Sequence, residues 1–171
     1  MRKDIKVAFC LCYLLFDGYN PYFASATSLC TQYDSNMGAT FDLNDLVRSQ
    51  DESSYAVEDG DIPCTPYIEK NYTYMFNVCG PVTLGVPASC RRKEGVSAAG
   101  ALQIDKNRLL NDPTDDYCYV VGSFSGTSQL QLLDTEDPTK GVSLTYYGDY
   151  CKNPVEQRRF VINLLCADKL N

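Results

Sequence analysis

The run "CKNPVEQRRFVINLLC", Cys151 to Cys166, sets two adjacent arginines at the start of an apolar stretch bracketed by cysteines. Read with the two-residue period of a strand, Arg158, Phe160, Ile162, Leu164 and Cys166 fall on one face. Arg159, Val161, Asn163 and Leu165 fall on the other. Arg158 therefore shares a face with the most apolar residues, where a guanidinium without a partner is costly. A partner is required, and a salt bridge holding two strands together is the purely structural answer. Other chemistries are sparse. The chain has no histidine, which removes Ser-His-Asp and Cys-His nucleophile systems and histidine metal sites together. A hydrolase would have to rely on paired carboxylates, but acids cluster in turn-rich stretches such as "NDPTDD" and "DTEDP", whose natural reading is solvated surface. No enzyme activity and no cofactor are expected.

The N-terminal residues read as an address for an oxidising compartment, which bears on the cysteines. Arg2, Lys3 and Lys6 precede the apolar "VAFCLCYLLF" (Val7 to Phe16), and "ASA" at 24–26 offers small residues for cleavage. Residues 1–26 thus read as a secretory signal peptide, too short in its apolar part to span a bilayer. A buried N-terminal helix is the alternative. Beyond the signal, twelve basic and twenty acidic residues leave a net charge of −8, a poor match for nucleic acid or anionic lipid. Seven cysteines remain: Cys30, Cys64, Cys79, Cys90, Cys118, Cys151 and Cys166. None lies in a CxxC pair, so disulfides are expected and a zinc site is not. The odd count implies a free thiol or an absent partner. "NYT" makes Asn71 the glycosylation candidate.

These residues have to be held by strands. "ATFDL" (Ala39–Leu43), "YTYMFNV" (Tyr72–Val78), "GALQI" (Gly100–Ile104) and "YCYVVGSF" (Tyr117–Phe124) are β-type runs. "LQLL" (Leu130–Leu133), "VSLTYY" (Val142–Tyr147) and "RFVINLLC" (Arg159–Cys166) follow, with turn residues between them. Helical periodicity goes no further than about one turn around "LNDLVRS". The acidic stretch "DESSYAVEDGD" (Asp51–Asp61) reads as a solvated loop. With 44% apolar and 22% charged residues, the chain reads as one all-β domain, a sandwich or flattened barrel.

Taken in order, "FDLNDL" (Phe41–Leu46), "YMFNVCGPV" (Tyr74–Val82), "GALQIDKN" (Gly100–Asn107), "GVSLTYYGDYC" (Gly141–Cys151) and "EQRRFVINLLC" (Glu156–Cys166) resemble the mannose 6-phosphate receptor homology (MRH) domain. This is the lectin module of the lysosomal sorting receptors and their endoplasmic-reticulum relatives. The resemblance runs from about Cys30 to Cys166. It implies a flattened barrel of two crossed antiparallel sheets and a shallow pocket for terminal mannose, built by a glutamine, an arginine, a glutamate and a tyrosine. The glutamine falls on Gln103 and the arginine on Arg158. An amide donates to and accepts from sugar hydroxyls, and a guanidinium offers a fixed fork of donors. A carboxylate would accept from the remaining hydroxyls and balance the charge of Arg158. For Gln103 the structural alternative is a surface amide, because it alternates with Leu102 and Ile104. The resemblance also implies a Cys30–Cys79 disulfide and leaves the pairing of Cys64, Cys90, Cys118, Cys151 and Cys166 open.

The expected glutamate and tyrosine belong downstream of Cys166, where this sequence has only "ADKLN". Residues 27–171 are accordingly expected to be a C-terminally incomplete MRH-like lectin domain. The stretch "YYGDYC" is short where phosphate-binding relatives carry an extended loop. Asp149 is the one further ligand candidate there, although a turn role suits it better. The resemblance implies a lectin for mannose-bearing N-glycans in glycoprotein sorting or quality control. It would act in the lumen of the endoplasmic reticulum, Golgi or endosomes, with a membrane anchor in the complete protein, or be secreted if the chain is complete. The alternative is a non-lectin interaction module of the autophagy-associated transmembrane type that shares the fold.

Overall fold

The computed structural model describes residues 4–7, 30–36, 38–59, 72–88, 90–106, 117–124, 128–150 and 157–166. Cys64, Asn71 and Cys151 lie outside the described residues, as does most of the expected signal peptide. Ten strands are formed among the described residues. They are β1 (Asp4–Val7), β2 (Thr31–Asp34), β3 (Ala39–Asp42), β4 (Tyr55–Asp59), β5 (Tyr72–Phe76), β6 (Ala99–Asp105), β7 (Cys118–Ser123), β8 (Gln129–Leu132), β9 (Val142–Tyr150) and β10 (Gln157–Leu164). No helix reaches seven residues among the described residues, and the 3-10 turn Asn44–Leu46 is all that forms around "LNDLVRS". The protein is all-β.

Eight strands join one curled sheet in the order β1-β10-β9-β7-β6-β5-β4, with β8 also on β9, and the curl makes a half-barrel. β2 and β3 form a separate two-stranded ladder. Pairing is antiparallel except for β1, whose residues Asp4–Val7 lie parallel to Val161–Leu164 of β10. Those four residues fall within the segment that reads as a signal peptide.

Alternation along the strands divides the buried residues between the two faces of the sheet. One face carries Tyr74, Phe76, Ala101, Val121, Leu144, Tyr146, Phe160, Ile162 and Leu164, closed by Ala39 and Phe41 of β3. The other carries Met75, Leu102, Ile104, Cys118 and Val120, covered by Val86, Cys90 and Val96 from the β5–β6 connection. Disulfides tie both layers. Cys30 is bonded to Cys79 with Cα atoms 5.4 Å apart, and Cys90 to Cys118 at 5.7 Å. Cys166 is also disulfide-bonded.

The reading of Asp51–Asp61 as a loop is corrected in its middle, where Tyr55–Asp59 form β4 on the edge beside β5. Tyr55 and Val57 pack against the first core, and the Tyr55 ring stacks on Phe76 at 5.4 Å. An edge strand accommodates acids on its outward positions, so its composition resembles that of a solvated loop.

Candidate ligand-binding face

The register of three neighbouring strands brings Tyr74, Gln103 and Tyr119 into one row. Gln103 of β6 lies opposite Tyr74 of β5 on one side and Tyr119 of β7 on the other. Side chains at directly opposed positions point to the same face. That face is the one bearing Phe76, Ala101 and Phe160, since Leu102 and Ile104 point into the second core. Gln103 Nε2 donates to Tyr74 Oη at 3.1 Å. Tyr74 is buried, with its ring 6.1 Å from Phe160 and 6.3 Å from Tyr72. Burial raises its phenol above the ordinary value, as does neighbouring Tyr72, while the bond from Gln103 opposes the shift. Asp105, two residues beyond Gln103 and opposite Tyr72, brings a buried carboxyl to the same face.

Arg158 approaches this row from the far side of β9. It precedes Phe160 by two residues on the same face and is half-buried. A bulge in β9 sets its position. Gln157 lies opposite Tyr150 but Arg159 lies opposite Tyr147, so the extra residue belongs to β9, at Gly148–Asp149. Gln157 Nε2 donates to Gly148 O at 3.0 Å and holds the bulge closed. The Arg158 Cζ then sits 4.9 Å from the centroid of the Tyr119 ring. Among the described residues the guanidinium makes no hydrogen bond or ion pair, so the partner demanded by its apolar face is an aromatic ring.

Tyr119 is gripped by a second cation. Lys93 Nζ lies 5.2 Å from the same ring centroid and donates to Cys118 O. Lys93 belongs to the connection that the Cys90–Cys118 disulfide fastens to β7. Asp149 is exposed on the bulge and makes no ion pair among the described residues. No described group of three or more His, Cys, Asp or Glu residues could hold a metal ion.

The structure thus brings Gln103 and Arg158, from strands separated by β7 and β9, to one tyrosine, and leaves Asp149 apart. Sequence reasoning missed Tyr74, Tyr119, Lys93 and Asp105. Period two assigns each strand residue to a face, but only the register between strands brings the tyrosines, Gln103 and Asp105 together, and Lys93 arrives on the connection fastened by Cys90–Cys118. The face offers an amide, phenols and a guanidinium beside aromatic surface, groups that match the hydroxyls and C–H face of a sugar. Comparison of the chain with protein-family models, curated proteins and solved structures finds no match.

Proposed function

We propose that this face binds a terminal sugar, with mannose of N-glycans as the ligand class, in sorting or quality control of glycoproteins. The observation that supports the reading is the convergence of Gln103 and Arg158 on Tyr119. Gln103 keeps its amide oxygen for a hydroxyl donor while its nitrogen is committed to Tyr74. Arg158, with no ion pair among the described residues, keeps its planar fork of donors for hydroxyl oxygens.

The test is binding of the 171-residue protein to immobilised glycans ending in mannose, galactose or sialic acid. Retention of mannose-terminated glycans is expected. Arg158→Ala should weaken it by roughly 10- to 150-fold, the range for losing a hydrogen bond to a charged group. Gln103→Ala should weaken it by about 2- to 10-fold, the range for a neutral bond. A competing reading, a non-lectin interaction module, draws on the fact that Arg158 already has an internal partner in Tyr119. Silence of the wild-type protein across the glycans would favour that reading and overturn the first.

A further inference from the structure

We infer that Tyr119 is a positioning residue for the sugar site, its ring being the seat that aims the Arg158 guanidinium before ligand arrives. The inference rests on the sugar-binding reading. An arginine side chain is long and rotationally free, and ordering it at the moment of binding costs affinity. In this structure something else has already ordered it. Among the described residues the guanidinium makes no hydrogen bond or ion pair, and it lies 4.9 Å from the centroid of the Tyr119 ring.

The ring in turn has little freedom to follow the arginine. Tyr119 packs against the first core and sits opposite Gln103 in register. The residue before it, Cys118, is fully buried and bonded to Cys90. Lys93 holds the ring at 5.2 Å and ties back to Cys118 O. The fixed partner is therefore the ring, and the movable one is the guanidinium. Because the same ring flanks Gln103, one side chain sets the spacing between the two groups that would grip neighbouring hydroxyls. A leucine at this place would retain apolar bulk and lose the electron-rich face on which the cation rests.

The experiment measures two things on the full chain. Without ligand, the Nε–H and Cδ–H resonances of Arg158 should show the shift of a group lying over an aromatic ring. That shift should persist in Tyr119→Phe and vanish in Tyr119→Leu. With methyl α-mannoside as the probe, Tyr119→Leu should raise Kd by roughly 3- to 30-fold, the range set by a cation–π contact. Tyr119→Phe should stay within about twofold of wild type, since the ring face is kept. In an Arg158→Ala background, Tyr119→Leu should have no further effect, a result that a general loosening of the fold would not produce. Tyr119→Met serves as a second ring-free variant should Tyr119→Leu fold poorly. Wild-type affinity in a folded ring-free variant, with Arg158→Ala impaired, overturns the positioning role and leaves the sugar reading intact. An unshifted Arg158 resonance in the wild type also overturns it. Absence of mannoside binding by the wild type removes the sugar reading, and the inference with it.

Discussion

Asn77 is fully buried, and each position of its amide is used. Its Oδ1 accepts from Arg48 N at 2.9 Å, and its Nδ2 donates to Arg48 O at 2.9 Å and Pro81 O at 2.8 Å. Its backbone donates to Gly100 O at 3.0 Å and accepts from Tyr146 Oη at 2.9 Å. Truncation would strand one donor and two acceptors in part-buried surroundings. Asn77→Ala is therefore expected to cost about 3 kcal/mol in a denaturant melt, whereas a loss below about 1 kcal/mol would mean that water replaces the amide. Asn77→Asp adds a pH signature. A buried carboxylate could still accept from Arg48 N but could not donate to the two carbonyls, so its folded-state pKa would be raised. The raised pKa favours the fold below the unfolded value near 4 and that contribution is lost as pH rises, so the deficit against wild type should grow toward neutral pH. Asn77 and Gln103 are both strand-associated amides, and nothing in "FNVC" or "LQID" says which one is satisfied internally. Arg158 was legible because a charge on an apolar face demands a partner. Tyr119 was not, because an aromatic residue in a strand is ordinary.

At the scale of elements, the runs that form β3 and β5 through β10 were legible, since alternation and turn residues mark them directly. β2 and β4 were not, being only four and five residues long with no fully buried position to mark a core face. The bulge that aims Arg158 left no trace beyond Gly148. A Cβ placed there would lie 2.4 Å from the Val121 carbonyl carbon and 2.5 Å from Val120 O, both backbone atoms of β7. Backbone cannot yield as a flexible side chain does, so β9 would have to move away from β7. Gly148→Ala is expected to cost about 1–3 kcal/mol of stability, the usual range for overpacking. It should also weaken mannoside binding at temperatures where the variant is fully folded, because Arg158 faces the displaced segment across the β9–β10 pairing. Full stability in the melt would show that the strands separate without cost, contrary to close packing at this crossing.

For the whole molecule, the series of β-type runs and the cysteine content were enough to indicate an all-β, disulfide-bonded domain, but not how one sheet serves two cores. That depends on the curl of the sheet and on Tyr146, which crosses the first core from β9. Its ring covers Gly100 and Gly122, where an added Cβ would lie 3.1 Å and 2.4 Å from Tyr146 atoms, and its hydroxyl reaches Asn77 O. The molecule thereby encloses phenols that the unfolded chain exposes. Burial raises the Tyr146 pKa well above the ordinary value of 10, against opposing backbone hydrogen bonds from Cys79 and Gly80. Tyr74 is raised in the same direction, first by burial. Below pH 10 both forms of the chain hold these protons and stability is insensitive to them. Above it, the unfolded chain ionises while the folded one does not, so stability falls as pH rises toward the folded values. Denaturant midpoints between pH 8 and pH 12 should be level up to about pH 9.5 and then decline, tracking phenolate absorbance on unfolding. Tyr146→Phe removes the largest contributor. It should cost about 1 kcal/mol at pH 8, where Asn77 O loses its donor, and should flatten the alkaline decline. A decline parallel to wild type would mean that other groups drive alkaline unfolding and that Tyr146 ionises as readily folded as unfolded.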